Sequence, residues 1–204
     1  MYMTFRQMQA DVAHMQDALA LATFARDRLN SEHGGHYGVS VNIGGDPSAI
    51  SLASPWATLG EYERVRAAIA SDDQLQMVIR MAAGYTSNMQ DSIAQILKAP
   101  GDRGTYAQVN TVMMFMPAVA DAIAFALEVA EFVDQKIDQN VGVLTAVTGN
   151  RAGLMWLGYS DSLDELAENG QTLETDPDYL AFFKSSEDKF VPGTLEQSIW
   201  QILP

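Results

Sequence analysis

Between residues 10 and 30 the apolar side chains Val12, Met15, Leu19 and Ala22 recur at helical spacing, which predicts a long amphipathic helix. The stretch before it, YMTFRQM, is aromatic and β-tolerant without breakers and predicts a strand. After it, SEHGGH brings the glycine that ends a helix, and YGVSVNI alternates at period two as a half-buried strand does. GGDPS is turn chemistry leading into AISLAS, so these two runs form a hairpin. In TLGE, Thr58 and Glu61 have capping-box spacing: the hydroxyl serves the backbone N–H three residues on while the carboxylate reaches back. SDDQ at Ser71 starts a further helix, and DSIAQIL closes the half as a strand.

The pattern is then written a second time. Shifted by 104 residues, Tyr2 meets Tyr106, DALALA from Asp17 meets DAIAFA from Asp121, Gly45 meets Gly149, and Asp72 meets Asp176. SLDE at Ser162 repeats the capping box, and TDPD at Thr175 repeats the second helix start, with Pro177 where an early helical position tolerates it. At an offset of 106, Ser92, Ile93, Gln95, Ile96 and Leu97 fall on Ser198, Ile199, Gln201, Ile202 and Leu203. The chain is a tandem duplication.

Strand, helix, hairpin, helix, strand is the βαββαβ order of a ferredoxin-like unit. Such an antiparallel sheet carries helices on one face only, and its bare face needs a cover, which the other copy can supply. The expected fold is therefore α+β: two ferredoxin-like repeats, residues 1–99 and 104–204, joined by KAPGDRGT. Their sheets are expected to pack face to face about a pseudo-twofold axis, giving a pseudo-dimeric barrel within one chain. Further homo-oligomerisation is left open.

AISLASPWATLGEYERVRAAIASDDQLQ and its copy GLMWLGYSDSLDELAENGQTLETDPDYL resemble the third-strand-to-second-helix segment of the dimeric α+β barrel superfamily. That superfamily includes antibiotic-biosynthesis-type monooxygenases, NIPSNAP-like proteins, muconolactone isomerases, stress-responsive barrel proteins, haem-degrading monooxygenases and chlorite dismutases. The resemblance implies two units enclosing a barrel whose interior serves as a pocket. It also implies, for a catalytic member, a cofactor-independent oxygenase or isomerase. The axial histidine, asparagine and tryptophan of the haem-degrading members cannot be matched to positions in this chain, so haem is not carried over.

Charge narrows the partners. The net charge is −14, and eleven of the 26 acidic side chains but eight of the 12 basic ones fall in residues 1–104. Such a surface repels phosphate backbones, which argues against nucleic acid and otherwise keeps a protein soluble. No run reaches the roughly 18 uninterrupted apolar residues of a membrane helix; PAVADAIAFALEVAEFV is broken by Asp121, Glu128 and Glu131. The opening residues lack a basic n-region and an apolar h-region, so a cytoplasmic protein without membrane association is expected. Without cysteine there is no disulfide, thiolate ligand or thiol nucleophile.

Candidate chemistry is sparse. EHGGH places His33 and His36 beside Glu32, but the intervening glycines indicate a loop, and no further histidine or cysteine lies nearby to complete a metal site. Neither a metal nor a cofactor is expected. GYSDS at Gly158 reads as a strand end before a helix cap, and NIGGDPS lacks the lysine of a phosphate loop. Met113, Met114 and Met116 suit an adaptable core.

The strand faces hold the remaining information. Met3 and Phe5, with Ala107 and Val109, are expected to pack on helices, which leaves Thr4, Arg6, Gln108 and Asn110 facing the partner sheet. Likewise Val39, Val41 and Ile43 are expected against helices, so Ser40 and Asn42 join the polar lining, with Leu144 and Ala146 as their apolar counterparts. Arg6, Ser40, Asn42, Gln108 and Asn110 are thus the expected ligand-binding residues, with Trp156 and Trp200 as apolar walls. Such an interior suits a small amphipathic molecule; the other reading is a filled barrel. Arg6 is the leading electrostatic group, no catalytic residue is identified, and the rival function is a non-catalytic ligand-binding or protein-interaction module.

Overall fold

A computed structural model describes residues 1–204. The first half forms β1 (Tyr2–Ala10), α1 (Met15–His33), β2 (Gly38–Asn42), β3 (Ala49–Trp56), α2 (Leu59–Ser71), α3 (Asp73–Ala82) and β4 (Thr86–Lys98). The second repeats the order as β5 (Tyr106–Met113), α4 (Val119–Ile137), β6 (Gly142–Ala146), β7 (Gly153–Ser160), α5 (Leu163–Glu174), α6 (Pro177–Lys184) and β8 (Glu196–Ile202). Each half is ferredoxin-like, and the eight strands close into one hydrogen-bonded barrel in the order β1-β3-β2-β8-β5-β7-β6-β4.

Local chemistry accounts for the element ends. Glu61 N–H donates to the Thr58 hydroxyl at 3.2 Å and the Glu61 carboxylate accepts from the Thr58 and Ala57 N–H groups, so the capping box expected at α2 forms. Ser162 caps α5 by accepting from Glu165 N–H at 3.1 Å, but the Glu165 carboxylate accepts from Asp161 N–H rather than from Ser162, so the second box forms only its forward half. Two boundaries differ from the sequence expectation. Asp72 rather than Ser71 caps α3, and Asp176 rather than Thr175 caps α6, because a carboxylate there receives two helical N–H groups at once. The first long helix also starts later than residue 10: β1 extends to Ala10, and a single 3₁₀ turn capped by Asp11 precedes α1.

Two compact units result, Met1–Ala94 with Ile202–Pro204, and Gln95–Gln201. The sequence repeats and the compact units therefore differ at the closing strands. Lys98, at the end of β4, donates to Asp134 at 2.6 Å, Asn140 at 2.8 Å and the Val141 carbonyl at 2.7 Å, all in the second unit. Leu203 N–H donates to the Val39 carbonyl at 2.8 Å, and the Leu203 carbonyl accepts from Arg26, both in the first.

Each unit has its own core on the helical side of its strands. In the first, Met8, Ala10, Val39, Ile50, Leu52 and Trp56 pack against Ala18, Ala22 and Leu29 of α1, Val65 of α2 and Leu75 of α3. In the second, Val112, Val143 and Leu154 pack against Ala122, Ala126, Ala130 and Val133 of α4.

Candidate functional site

The core fixes the phase of every strand. Met8 and Ala10 share a face of β1 with Thr4 and Arg6, and β3 pairs in register, Arg6 with Leu52 and Thr4 with Ser54. Thr4 and Arg6 therefore point to the helices, opposite to the expected facing. In the second unit Val112 carries Gln108 and Asn110 onto the helical face of β5, again opposite to expectation. Val39 and Val41 do face the helices, which puts Ser40 and Asn42 on the other face of β2. The reversal arises because β1 is apolar on both faces: Met3 and Met8 are of opposite parity and both buried, so Met3 and Phe5 alone could not set the phase.

Arg6 opens into a cavity of about 230 Å³ within the first unit. Thr4 and Arg6 contribute from β1, Leu52 from β3, Leu29 from α1, and Gln76 and Ile79 from α3. From α2 come Tyr62, Arg66, Ile69 and Ala70, whose spacing puts them on one helical stripe. Tyr37 and Asp91 complete the polar part.

Tyr37 is held with care. Its N–H donates to Asn30 Oδ1 at 2.7 Å and its carbonyl accepts from Asn30 Nδ2 at 2.9 Å. The two glycines of EHGGH serve the same end. Gly34 takes φ +67° to terminate α1, and Gly35 lies so close to the Tyr37 ring that a Cβ there would stand 2.7 Å from Cδ2. Trp56 packs edge-on to Tyr37 at 5.7 Å between ring centres and 5.8 Å from Tyr62, while its indole N–H donates to the Thr4 hydroxyl at 2.9 Å.

The electrostatics centre on a bidentate pair. Arg6 Nε and Nη2 each donate to an Asp91 carboxylate oxygen at 2.7 Å, which leaves Arg6 Nη1 free of the pair. Hydrogen bonding to Arg6 outweighs desolvation and, with the charges of Arg6 and Arg66, holds the Asp91 carboxyl below its usual range. Burial pushes the Tyr37 phenol up to about 12, so it stays a neutral donor. No strong base faces the cavity.

The second unit places an indole at the equivalent position. Asn110 pairs with Trp156 in the register that Arg6 keeps with Leu52. The Trp156 indole N–H donates to the Ala126 carbonyl of α4 at 3.1 Å, and its ring packs on Phe190, which contacts Phe125 in turn. An indole stands where the first unit has a leucine and a cavity.

Of the seven residues expected to bind ligand, Arg6 alone lines this cavity. Ser40 lies on the opposite face of β2, and Asn42 is buried with Oδ1 accepting from Gly44 N–H at 3.1 Å, which ties the following turn. Trp156 belongs to the second core. Trp200 shares a face with Ala107, away from the helices, and its N–H donates to Ser198. Sequence reasoning missed Tyr37, Tyr62, Arg66 and Asp91. Tyr62 and Arg66 were legible as an i, i+4 pair on a capped helix, but Asp91 had no signal beyond a charge inside a strand.

A larger, shallower depression of about 410 Å³ lies at Arg28, His33 and Asp72. Its carboxylate is already engaged: Asp72 accepts from Gln74 and Leu75 N–H, Arg28 Nε at 2.6 Å and His33 Nε2 at 2.8 Å. That network pins α1 to the α2–α3 elbow. His33 is thus a structural partner of Asp72, and no trio of histidine and carboxylate side chains is grouped to hold a metal ion.

The fold is an α+β barrel, ferredoxin-like in each half. Three solved structures share that architecture over nearly their whole length. A protein of Fusobacterium nucleatum subsp. nucleatum with a provisional monooxygenase name superposes with a TM-score of 0.77 at 6% identity, covering 100% of this chain and 92% of that one. An anthrone oxidase-like protein gives 0.69 at 13% identity, covering 100% and 91%. A second provisionally named monooxygenase, from Lactobacillus acidophilus NCFM, gives 0.68 at 8% identity, covering 98% and 93%. No protein-family model and no curated protein matches the sequence. No helix is long and apolar enough to cross a membrane.

Proposed function

We propose that the first unit binds a small amphipathic molecule in the cavity beneath α2 and oxidises it with molecular oxygen, without a bound cofactor. One observation carries this reading: Arg6 of β1, Asp91 of β4, Tyr62 of α2 and Tyr37 of the loop before β2 converge on a cavity whose apolar walls include Leu29, Leu52, Ile69 and Ile79. Three neighbours in fold carry oxygenase or oxidase names, which makes oxygen the co-reactant to test first.

In such a reaction a substrate with an activated CH₂ loses two hydrogens and gains one oxygen. One atom of O₂ becomes the new C=O, the O–O bond breaks, and the other atom leaves as water. The residues at hand act by electrostatics: the Tyr37 phenol and Arg6 Nη1 donate to the substrate oxygen as its negative charge develops. The apolar walls exclude water from the reacting carbon. Ser40, Asn42, Gln108, Asn110 and Trp200 have no role in this cavity, and Trp156 marks the equivalent position in the second copy.

Native mass spectrometry of freshly purified protein, beside its Leu52→Trp variant, tests the site. One small molecule retained per chain and lost in the variant is the expected result, with oxygen uptake when that molecule is supplied. A molecule kept equally by Leu52→Trp overturns the site. Binding without oxygen uptake overturns the oxygenase reading in favour of a ligand-binding protein.

A further inference from the structure

Two guanidinium groups and one carboxylate line the first-unit cavity, and the carboxylate is already spent. Asp91 is closed by Arg6 in the bidentate pair, whereas Arg66 has no ion-pair partner of its own and acts on Asp91 only through space. Arg66 sits one helical turn beyond Tyr62 on the stripe of α2 that faces the cavity. The lining thus carries one uncompensated positive charge inside a chain of net charge −14.

We propose that Arg66 makes the cavity selective for a small organic monoanion: a carboxylate, or an acidic phenol or enol, built on one ring or a chain of similar bulk. This rests on the cavity being the ligand site proposed above. Its size follows from the space present. A cavity of about 150 Å³ accommodates benzene, so about 230 Å³ takes one ring with a short substituent. Its charge follows from what an unpaired guanidinium beside apolar walls recognises: an anionic head on an apolar body. The lining contains no group suited to ionising a weakly acidic ligand, because Arg6 keeps Asp91 a poor base and Tyr37 stays protonated. A ligand that reacts as an anion therefore enters as one.

Matched acid and amide probes read this directly. Benzoate and benzamide, phenylacetate and phenylacetamide, and hexanoate and hexanamide share shape within each pair and differ by one charge. Titration calorimetry on wild type, Arg66→Gln and Leu52→Trp should show each bound acid at least about tenfold tighter than its amide. Arg66→Gln should bring acid and amide within about twofold of each other, and added salt should weaken the acids alone. Arg66 is exposed on α2, so the variant folds, and its circular dichroism and melting temperature verify that. Amides binding as well as acids, with both blocked by Leu52→Trp, would overturn the charge selectivity while the cavity stands. Acids that bind Leu52→Trp undiminished would overturn the cavity itself. Absence of binding by every acid also overturns the proposal, since the cavity then takes no small monoanion.

Discussion

Asn30 satisfies both backbone polar groups of Tyr37, accepting from its N–H at 2.7 Å and donating to its carbonyl at 2.9 Å. The second unit meets the same need with two residues. Asp134, the counterpart of Asn30 at an offset of 104, accepts from Val141 N–H at 2.7 Å, and Lys98 donates to both Asp134 and the Val141 carbonyl. An amide can donate and accept; a carboxylate only accepts, so its replacement requires a cation. Asn30→Ala should cost about 1–3 kcal/mol by leaving two part-buried groups unpaired, read from the urea midpoint at constant slope. Asn30→Asp should cost as much, since the chain places no lysine in the first unit to serve the Tyr37 carbonyl. Asn30→Asp at wild-type stability would show that the clamp is not what holds Tyr37.

Leu52 and Trp156 occupy one register position in two copies of the same fold, a leucine lining a cavity in the first and an indole packed on Phe190 in the second. Leu52→Trp should leave the protein folded and block ligand binding, with a stability change within about 1–3 kcal/mol of overpacking cost. The reciprocal Trp156→Leu should lose the hydrogen bond to Ala126 and its packing on Phe190, costing about 2–4 kcal/mol as a large-to-small core change. Paired thermal melts of the two variants separate the roles. A Leu52→Trp variant that costs well over about 3 kcal/mol or fails to fold would mean that the first-unit space is not a preserved cavity.

The duplication, the element order and the hydroxyl caps of α2 and α5 were legible because they rest on local chemistry repeated at a fixed offset. Thr58 with Glu61 and Ser162 with Glu165 form their caps where the spacing predicts them. The site was legible only through Arg6. An antiparallel sheet covered on one side announces its phase by alternation; β1 is buried on both sides, at Met3 and at Met8, so its alternation is ambiguous. The glycines of EHGGH read correctly as a helix end, but their service to Tyr37 depends on the packing of its ring against Gly35 and on Asn30, seven residues before Tyr37. Asp91 reaches Arg6 across 85 residues of sequence, a separation at which no local pattern operates.

The Arg6–Asp91 pair should show modest coupling. Both side chains are more than a third exposed, at 37% and 42%, so solvent screens the pair and about 0.5–1 kcal/mol is expected at neutral pH. A double-mutant cycle of Arg6→Met and Asp91→Asn measures it. The Asp91 carboxyl titrates below its unfolded value, so its contribution is complete above about pH 4 and fades as pH falls through the folded value. The same cycle at pH 3 should therefore return a smaller coupling than at pH 7. A coupling that grows on acidification would mean that Asp91 is protonated in the native pair at neutral pH.

Asp72 should dominate the acid sensitivity of the first unit. Burial alone would raise its carboxyl, but hydrogen bonds from His33, from Leu75 N–H and from Arg28 together overcome that and hold it far below the usual carboxylate range. A group depressed in the folded state stabilises above its unfolded value and loses that contribution as pH falls towards the folded one. Stability should accordingly decline from about pH 4 downward as the unfolded chain takes up a proton that native Asp72 refuses. Asp72→Asn keeps the shape and the Oδ1 that receives both helical N–H groups, but it replaces the Oδ2 that accepts from Arg28 and His33 with an NH₂ and forfeits the charge. It should be less stable than wild type at pH 7, and the gap should narrow steadily towards pH 2. His33→Gln, which removes one donor and leaves the cap, should show a smaller loss with the same sign. Urea denaturation across pH 2–7 for the three proteins checks both statements, and parallel curves for wild type and Asp72→Asn would assign the acid limb to other carboxylates.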